Sequence, residues 1–396
     1  MRPTKSNAHP RTAGASLMLV ALTVELIDEL VDGTKSAAFP LIRHDLSLTY
    51  GQVGLLASLP LILGGLLDFP VGVLAGHGRR RLRVVLGGGI VFAGALIAAA
   101  AARSFVSLLV AFVVFYPASG AFVSLIQSSL MDAEPARREQ HMARWTLAGS
   151  VGALAGPVLL ASVVFAGGGW RTAYLVIAGF AVVTWLAVAS GGRRPHAAAA
   201  DGDQDPDPGP ATAREVIGVL RRREVMRWVV LLEVIDLLLD VLTGFLAVYF
   251  VDVVHASPAQ AALAVAVRVG AGLAGDVVVI HALERADGVT VLRASTVAAA
   301  VLYPAFLLVP GAGAKLAALA ALSIATASWY PVTQAQVYHS LHGQSGVAVS
   351  LSSVAGLAGG AGPLAVGFVA ERAGLVWAMS LLAVAPVCVL WALRRR

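Results

Sequence analysis

Two apolar segments of this chain carry the same set of acids. One reads Glu25-Leu-Ile-Asp28-Glu29-Leu-Val-Asp32 and the other Glu233-Val-Ile-Asp236-Leu-Leu-Leu-Asp240, 208 positions further on. Carboxylates at i, i+3 and i+7 share one face of a helix. On a helical wheel Glu25, Asp28, Glu29, Asp32, Lys35 and Ser36 fall within an arc of about 120°. An ionised side chain at the centre of a bilayer costs about 2.5–3.5 kcal/mol on insertion scales, so such acids face a cavity and work there. Like charges crowded in a low-dielectric site resist ionising together, which suits them to carry protons and to attract cations. Asp28, Asp32, Asp236 and Asp240 are therefore the expected proton and cation sites, with Glu25, Glu29 and Glu233 beside them. The alternative is structural: the acids pair with buried bases and hold helices together.

Bases at comparable depth are few. Lys35 follows Asp32 by three residues. Arg268 lies about 15 Å deep in its own apolar run, at 1.5 Å per residue. Either base could release a carboxylate when a ligand arrives, or pair statically. Tyr116, Ser119 and Gln127 in one apolar run, and Tyr330, Thr333, Gln334 and Tyr338 in another, form polar and aromatic stripes. These stripes suit a cavity wall that orients a ligand by hydrogen bonds, or equally bonds between helices. Gly270-Ala-Gly272-Leu-Ala-Gly275 spells a dinucleotide fingerprint, but it lies inside an apolar run rather than after a strand. No metalloprotease, phosphate-loop or nucleophile-elbow motif occurs. Enzymatic activity and a cofactor are not expected, and the energy source should be a proton gradient or the ligand's own gradient.

The elements that position these residues are membrane helices. Of 396 residues, 58% are hydrophobic and 13% charged, against about 25% charged in soluble domains. Apolar runs of about 20 residues recur along the chain, each able to cross a core about 30 Å thick. In lipid the backbone must satisfy its own polar groups, so the runs are helices. Twelve spans are expected, at 15–42, 49–75, 82–102, 104–131, 142–166, 170–190, 227–254, 258–283, 289–309, 313–340, 345–371 and 373–393. The domains are then an N-terminal tail (1–14), a six-helix bundle (15–190), a linker (191–226), a second bundle (227–393) and a short tail (394–396). The acidic, proline-rich centre of the linker, from Asp201 to Pro210, is too polar to pack. Lys and Arg concentrate in the segments shared with the N-terminus, while the opposite loops hold only Arg43, Arg103, Arg171, Lys315 and Arg372. Positive residues stay inside, so both termini should be cytoplasmic. The single cysteine, Cys388, excludes an intrachain disulfide.

The two bundles repeat. Asp68 in span 2 matches Asp276 in span 8 at the same offset as the acid rows. Phe115-Tyr116-Pro117 in span 4 answers to Trp329-Tyr330-Pro331 in span 10, and Gly156-Pro157 in span 5 to Gly362-Pro363 in span 11. Parallel six-helix repeats with a ligand site at their interface describe one large transporter architecture. Span 2 ends in Gly72-Val-Leu74-Ala75-Gly76-His77-Gly78-Arg79-Arg80-Arg81. Over essentially its whole length the chain resembles the major facilitator superfamily. That run resembles the family's loop 2–3 signature, with Gly76 in place of the usual acid. Gly152-Ala-Leu-Ala-Gly156-Pro157 resembles the signature of its antiporters and exporters. The resemblance implies a cavity lined by spans 1, 4, 7 and 10, with the two acid rows facing each other across it. Gating is expected of Asp68, Asp276, Arg79, Arg80, Gly156, Pro157, Gly362 and Pro363.

The sequence thus predicts an all-α, twelve-helix secondary transporter of alternating access in a bacterial cytoplasmic membrane. Proton-coupled export of a small cationic or amphipathic compound is the expected activity. A divalent metal as cargo, proton symport of a nutrient, and a non-transporting sensor are the alternatives. The expected partners are the lipid bilayer and a small-molecule or cation substrate, with no nucleic acid and no resident metal, and the chain should act as a monomer.

Overall fold

The computed structural model describes residues 10–75, 79–133, 138–191, 222–340 and 361–394. The described residues are helical, with no strand. In chain order the α-helices are α1 (Pro10–Asp45), α2 (Tyr50–Ala75), α3 (Arg79–Ala101), α4 (Phe105–Ser119), α5 (Leu125–Ala133), α6 (Arg138–Phe165), α7 (Trp170–Gly191) and α8 (Arg223–Asp252). They continue as α9 (Pro258–Leu283), α10 (Gly288–Leu308), α11 (Ala312–Thr326), α12 (Trp329–Ser340), α13 (Ala361–Ala373), α14 (Leu375–Leu381) and α15 (Val384–Arg394). Single helices answer to most of the expected spans. Spans 4, 10 and 12 are each built of two, α4–α5, α11–α12 and α14–α15.

Prolines account for the three interruptions. A proline lacks the N–H that would bond to the carbonyl four residues earlier. Pro331 would leave Ala327 unpaired, and span 10 breaks at Ala327–Ser328. Pro386 would leave Leu382 unpaired, and span 12 breaks there, with the Ala385 N–H taking up the Leu382 carbonyl instead at 3.1 Å. In span 4 the helix passes Pro117 and then underwinds into a single π turn, Gly120–Ser124. Helix starts follow the loop chemistry: Ser104 and Ser257 form reciprocal capping boxes with Ser107 and Gln260, and Asp287 caps α10.

Among the described residues eight helical stretches are long and apolar enough to cross a membrane: Arg80–Ala101, Phe105–Gln127, Arg144–Phe165, Trp170–Ser190, Pro258–Leu283, Gly288–Leu308, Ala312–Val337 and Leu375–Arg394. These are spans 3–6, 8–10 and 12. Spans 1 and 7 have ample length, 36 and 30 residues, and are the two that carry the acid rows. Span 2 shows a shorter apolar stretch, Tyr50–Gly64. Much of span 11 falls outside the described residues, as does most of the linker.

The halves meet along two seams. Span 2 packs on span 11 and span 5 on span 8, a pair of contacts that the duplication exchanges. Span 1 lies between, packed most extensively on span 5 and touching span 7. Glycine permits the closest of these approaches. A Cβ on Gly156 would stand 2.5 Å from the Thr34 nitrogen and 2.6 Å from the Leu30 carbonyl oxygen. One on Gly54 would stand 2.7 Å from the Pro363 carbonyl oxygen. Small residues let membrane helices touch backbone to backbone in this way. Large apolar side chains such as Phe165, Leu308 and Trp377 are exposed on the outside of the bundle, where lipid is the solvent.

Candidate functional site

A cavity of about 500 Å³ lies between the halves. It extends from mid-depth toward the end of the bundle at which α1 begins and α15 finishes. Span 1 contributes Glu25 and Glu29, and span 4 contributes Gln127. Span 5 supplies Trp145, Thr146, Gly149, Ser150 and Ala153. The facing wall is Leu239 and Thr243 of span 7, Arg268, Val269, Gly272, Leu273 and Asp276 of span 8, and Ser323, Thr326, Ala327 and Tyr330 of span 10. The volume is in the range of small-molecule sites.

The structure divides the acids of span 1 between two environments. Glu25 and Glu29 turn to the cavity. Gly149 makes room for Glu25, since a Cβ there would lie 2.6 Å from its Oε1. Asp28 and Asp32 turn to span 4 instead. The Ser119 hydroxyl donates to Asp28 Oδ1 at 2.7 Å. Asp32 Oδ1 accepts from Lys35 Nζ at 2.6 Å and from the Tyr116 hydroxyl at 3.2 Å. Lys35 is buried, contacts the Tyr116 hydroxyl directly, and stands 4.7 Å from the Tyr116 ring centre. Lys35, Asp32 and Tyr116 therefore form one polar cluster within the N-terminal half, in which Lys35 is buried and Asp32 is partly exposed.

The second acid row stands beside the cavity rather than on its wall. Glu233 and Asp236 are half-buried and Asp240 is exposed, on helix faces next to the lining residues Leu239 and Thr243. Arg268 is on the wall. Its Nη1 reaches Ser323 Oγ and its Nη2 the Leu239 carbonyl, both at 3.4 Å, and its Nε is buried with no partner. Asp240 of span 7 forms no ion pair with it. Among the described residues no three His, Cys, Asp or Glu side chains converge as a metal site requires.

Comparison with known proteins fixes the family. The Major Facilitator Superfamily profile matches residues 26–350. The chain belongs to the Major Facilitator Superfamily. Among solved structures it is similar to a bacterial homologue of the human lysosomal transporter Spinster, in an inward-facing and occupied conformation. The TM-score is 0.76 at 16% identity, covering 99% of this chain and 98% of the other. It is also similar to the nucleoside transporter NupG, with a TM-score of 0.77 at 12% identity over 96% and 98% of the two chains. At such identities the likeness is one of fold. No curated protein matches the sequence.

This superfamily member therefore carries out secondary transport by alternating access, and its halves must separate at each end in turn. At the end away from the termini they are joined. Arg43 Nη1 of span 1 donates to Asp252 Oδ2 of span 7 at 2.6 Å, and the Tyr50 hydroxyl donates to the same oxygen at 2.8 Å. The Arg43 guanidinium stands 4.2 Å from the Tyr50 ring centre. Glu371 of span 11 accepts from the Gly51 N–H at 3.0 Å and the Thr49 hydroxyl at 3.1 Å.

Of the residues expected to gate, Asp276 lines the cavity toward the other end and Arg80 is exposed. Asp68 and Arg79 are in helices, with side chains outside the described residues. Gly156 and Pro157 are buried against span 1, and Gly362 and Pro363 are buried on span 11, whose Pro363 carbonyl meets span 2. Of the polar stripe of span 10, Tyr330 is on the wall and Thr333 is buried with its hydroxyl unpaired. Gln334 is half-buried, and the Tyr338 side chain lies outside the described residues. Sequence reasoning missed the contribution of span 5, whose Thr146, Gly149, Ser150 and Ala153 repeat at i, i+3, i+4 and i+7. That spacing of small and polar residues was readable as a wall.

Proposed function

We propose that this transporter couples export of a small cationic or amphipathic compound to the inward movement of protons. The observation that carries the reading is the division of the span 1 acids. Glu25 and Glu29 face the cavity with no ion-pair partner among the described residues, which suits them to receive a cation. Among the described residues Asp28 is held by a hydroxyl and by no cation, which leaves a proton to neutralise it. Asp32 is neutralised by Lys35. Trp145 and Tyr330 add aromatic surface on which an amphipathic body can rest. With the termini in the cytoplasm, as the loop arginines direct, the cavity faces inward. A divalent metal finds less support, because the described acids do not cluster as ligands.

The test is transport by purified protein in inside-out proteoliposomes, with ethidium as the fluorescent probe cation. An acid lumen should drive ethidium uptake, and Asp28→Asn should remove the dependence on the gradient. Uptake driven by an alkaline lumen would indicate symport in its place. Uptake indifferent to the gradient would overturn proton coupling altogether.

A further inference from the structure

Among the described residues the cavity wall holds one cation as well as its acids. Arg268 sits on span 8, facing the cavity, with Glu25 and Glu29 on the span 1 wall. Its surroundings do not satisfy it. Both of its hydrogen bonds are 3.4 Å long, at the limit of useful geometry, and its Nε is buried without a partner. A guanidinium has five donors in a planar fork suited to a carboxylate or another oxyanion. No ion pair joins it to Asp240 of span 7. A half-buried cation on a cavity wall, with its buried Nε unbonded, is better satisfied when a ligand supplies the acceptor.

We propose that the ligand is a zwitterion, with an ammonium end held by Glu25 and Glu29 and an oxyanion end held by the fork of Arg268. This rests on the assignment of the two glutamates as the cation site and adds a second, opposite pole. A sphere of this cavity's volume is about 10 Å across, enough to separate the charges of a small amino-acid-like molecule. Besides the charged groups the lining mixes apolar residues, Ala153, Leu239, Val269 and Leu273, with the hydroxyls of Thr146, Ser150 and Thr243, so an uncharged middle fits. The arrangement also gives the ligand a mechanical role. The glutamates belong to one half and the arginine to the other, so a molecule carrying both charges draws the halves together. A cation alone can meet the span 1 glutamates, or Asp276 on the facing wall, but leaves the Arg268 fork without an acceptor.

The test uses matched probes. Phenylalanine and ε-aminocaproate are each compared with their carboxamide, which keeps only the cation, and their N-acetyl form, which keeps only the anion. Calorimetry on the purified full chain should show at least one zwitterion binding tenfold or more tighter than either of its single-charge forms. Arg268→Gln should reduce that zwitterion to the affinity of its carboxamide, and Arg268→Lys should restore part of the difference. Glu29→Gln should reduce it toward the N-acetyl form. The proposal is overturned if neither zwitterion is preferred, or if Arg268→Gln leaves the preference unchanged. If the carboxamides bind and Glu29→Gln weakens them while Arg268→Gln does not matter, the cation reading stands and the zwitterion falls. If no probe with a free amine binds, both fall.

Discussion

Asp28 and Asp32 lie one helical turn apart and keep different company. Asp32 shares its oxygen with Lys35 and Tyr116, whereas among the described residues Asp28 has only the Ser119 hydroxyl. Removing one member of a buried ion pair strands the other, at a cost of about 3–5 kcal/mol. The Asp32 side chain keeps 40% of its exposure, so Asp32→Asn should fall at the lower end of that range in thermal unfolding. The double variant Asp32→Asn/Lys35→Met should recover most of the loss. An equal loss in the double variant would show that the pair is not the cause. Asp28→Asn retains an acceptor for Ser119 and should change stability by less than about 1 kcal/mol while altering transport. The acid row and its shared face were legible in the sequence, because the helical period alone puts the four residues on one arc. Which acid meets a base was not legible. That depends on how span 4 is rotated against span 1, and the rotation is set by tertiary packing on both sides of Pro117.

At the scale of elements, span 5 is the wall that the sequence reading left out. Gly156-Pro157 drew attention as a signature, while the neighbouring stripe of small residues does the packing and lines the cavity. The backbone contact at Gly156 predicts that Gly156→Ala is destabilising by about 1–3 kcal/mol, the usual range for overpacking. Gly94→Ala, where a Cβ meets nothing within 4 Å, should be neutral or slightly stabilising, since alanine favours a helix by up to about 1 kcal/mol. Unfolding of the two variants side by side in detergent checks the contrast, and equal effects would refute it. Helix breaks were partly legible. The Tyr-Pro pairs of spans 4 and 10 do sit at irregularities, yet Pro40, Pro157 and Pro304 lie inside unbroken helices. Neighbouring helices can absorb a lost bond, so proline alone does not decide where a span divides.

For the whole molecule, the duplicated architecture was readable from landmarks that recur in order, because each bundle repeats the same packing problem. The junction at the end away from the termini was not readable. Arg43 and Asp252 are 209 positions apart and meet only once the halves are docked. Arg43→Gln should weaken that junction and move the population toward separation at that end. Spin labels at His44→Cys and His255→Cys, in a Cys388→Ser background, would report it as a longer distance component, and an unchanged distribution would remove the junction from the cycle. The junction is made of charge and hydroxyl rather than oil, with side-chain exposures of 28% and 21% for Arg43 and Asp252. Its grip is therefore set by the liquid that bathes it. Dissolved ions screen such pairs over about 10 Å at 0.1 M and about 3 Å at 1 M, so brine loosens this latch and fresh water tightens it, with the bilayer itself left unaltered.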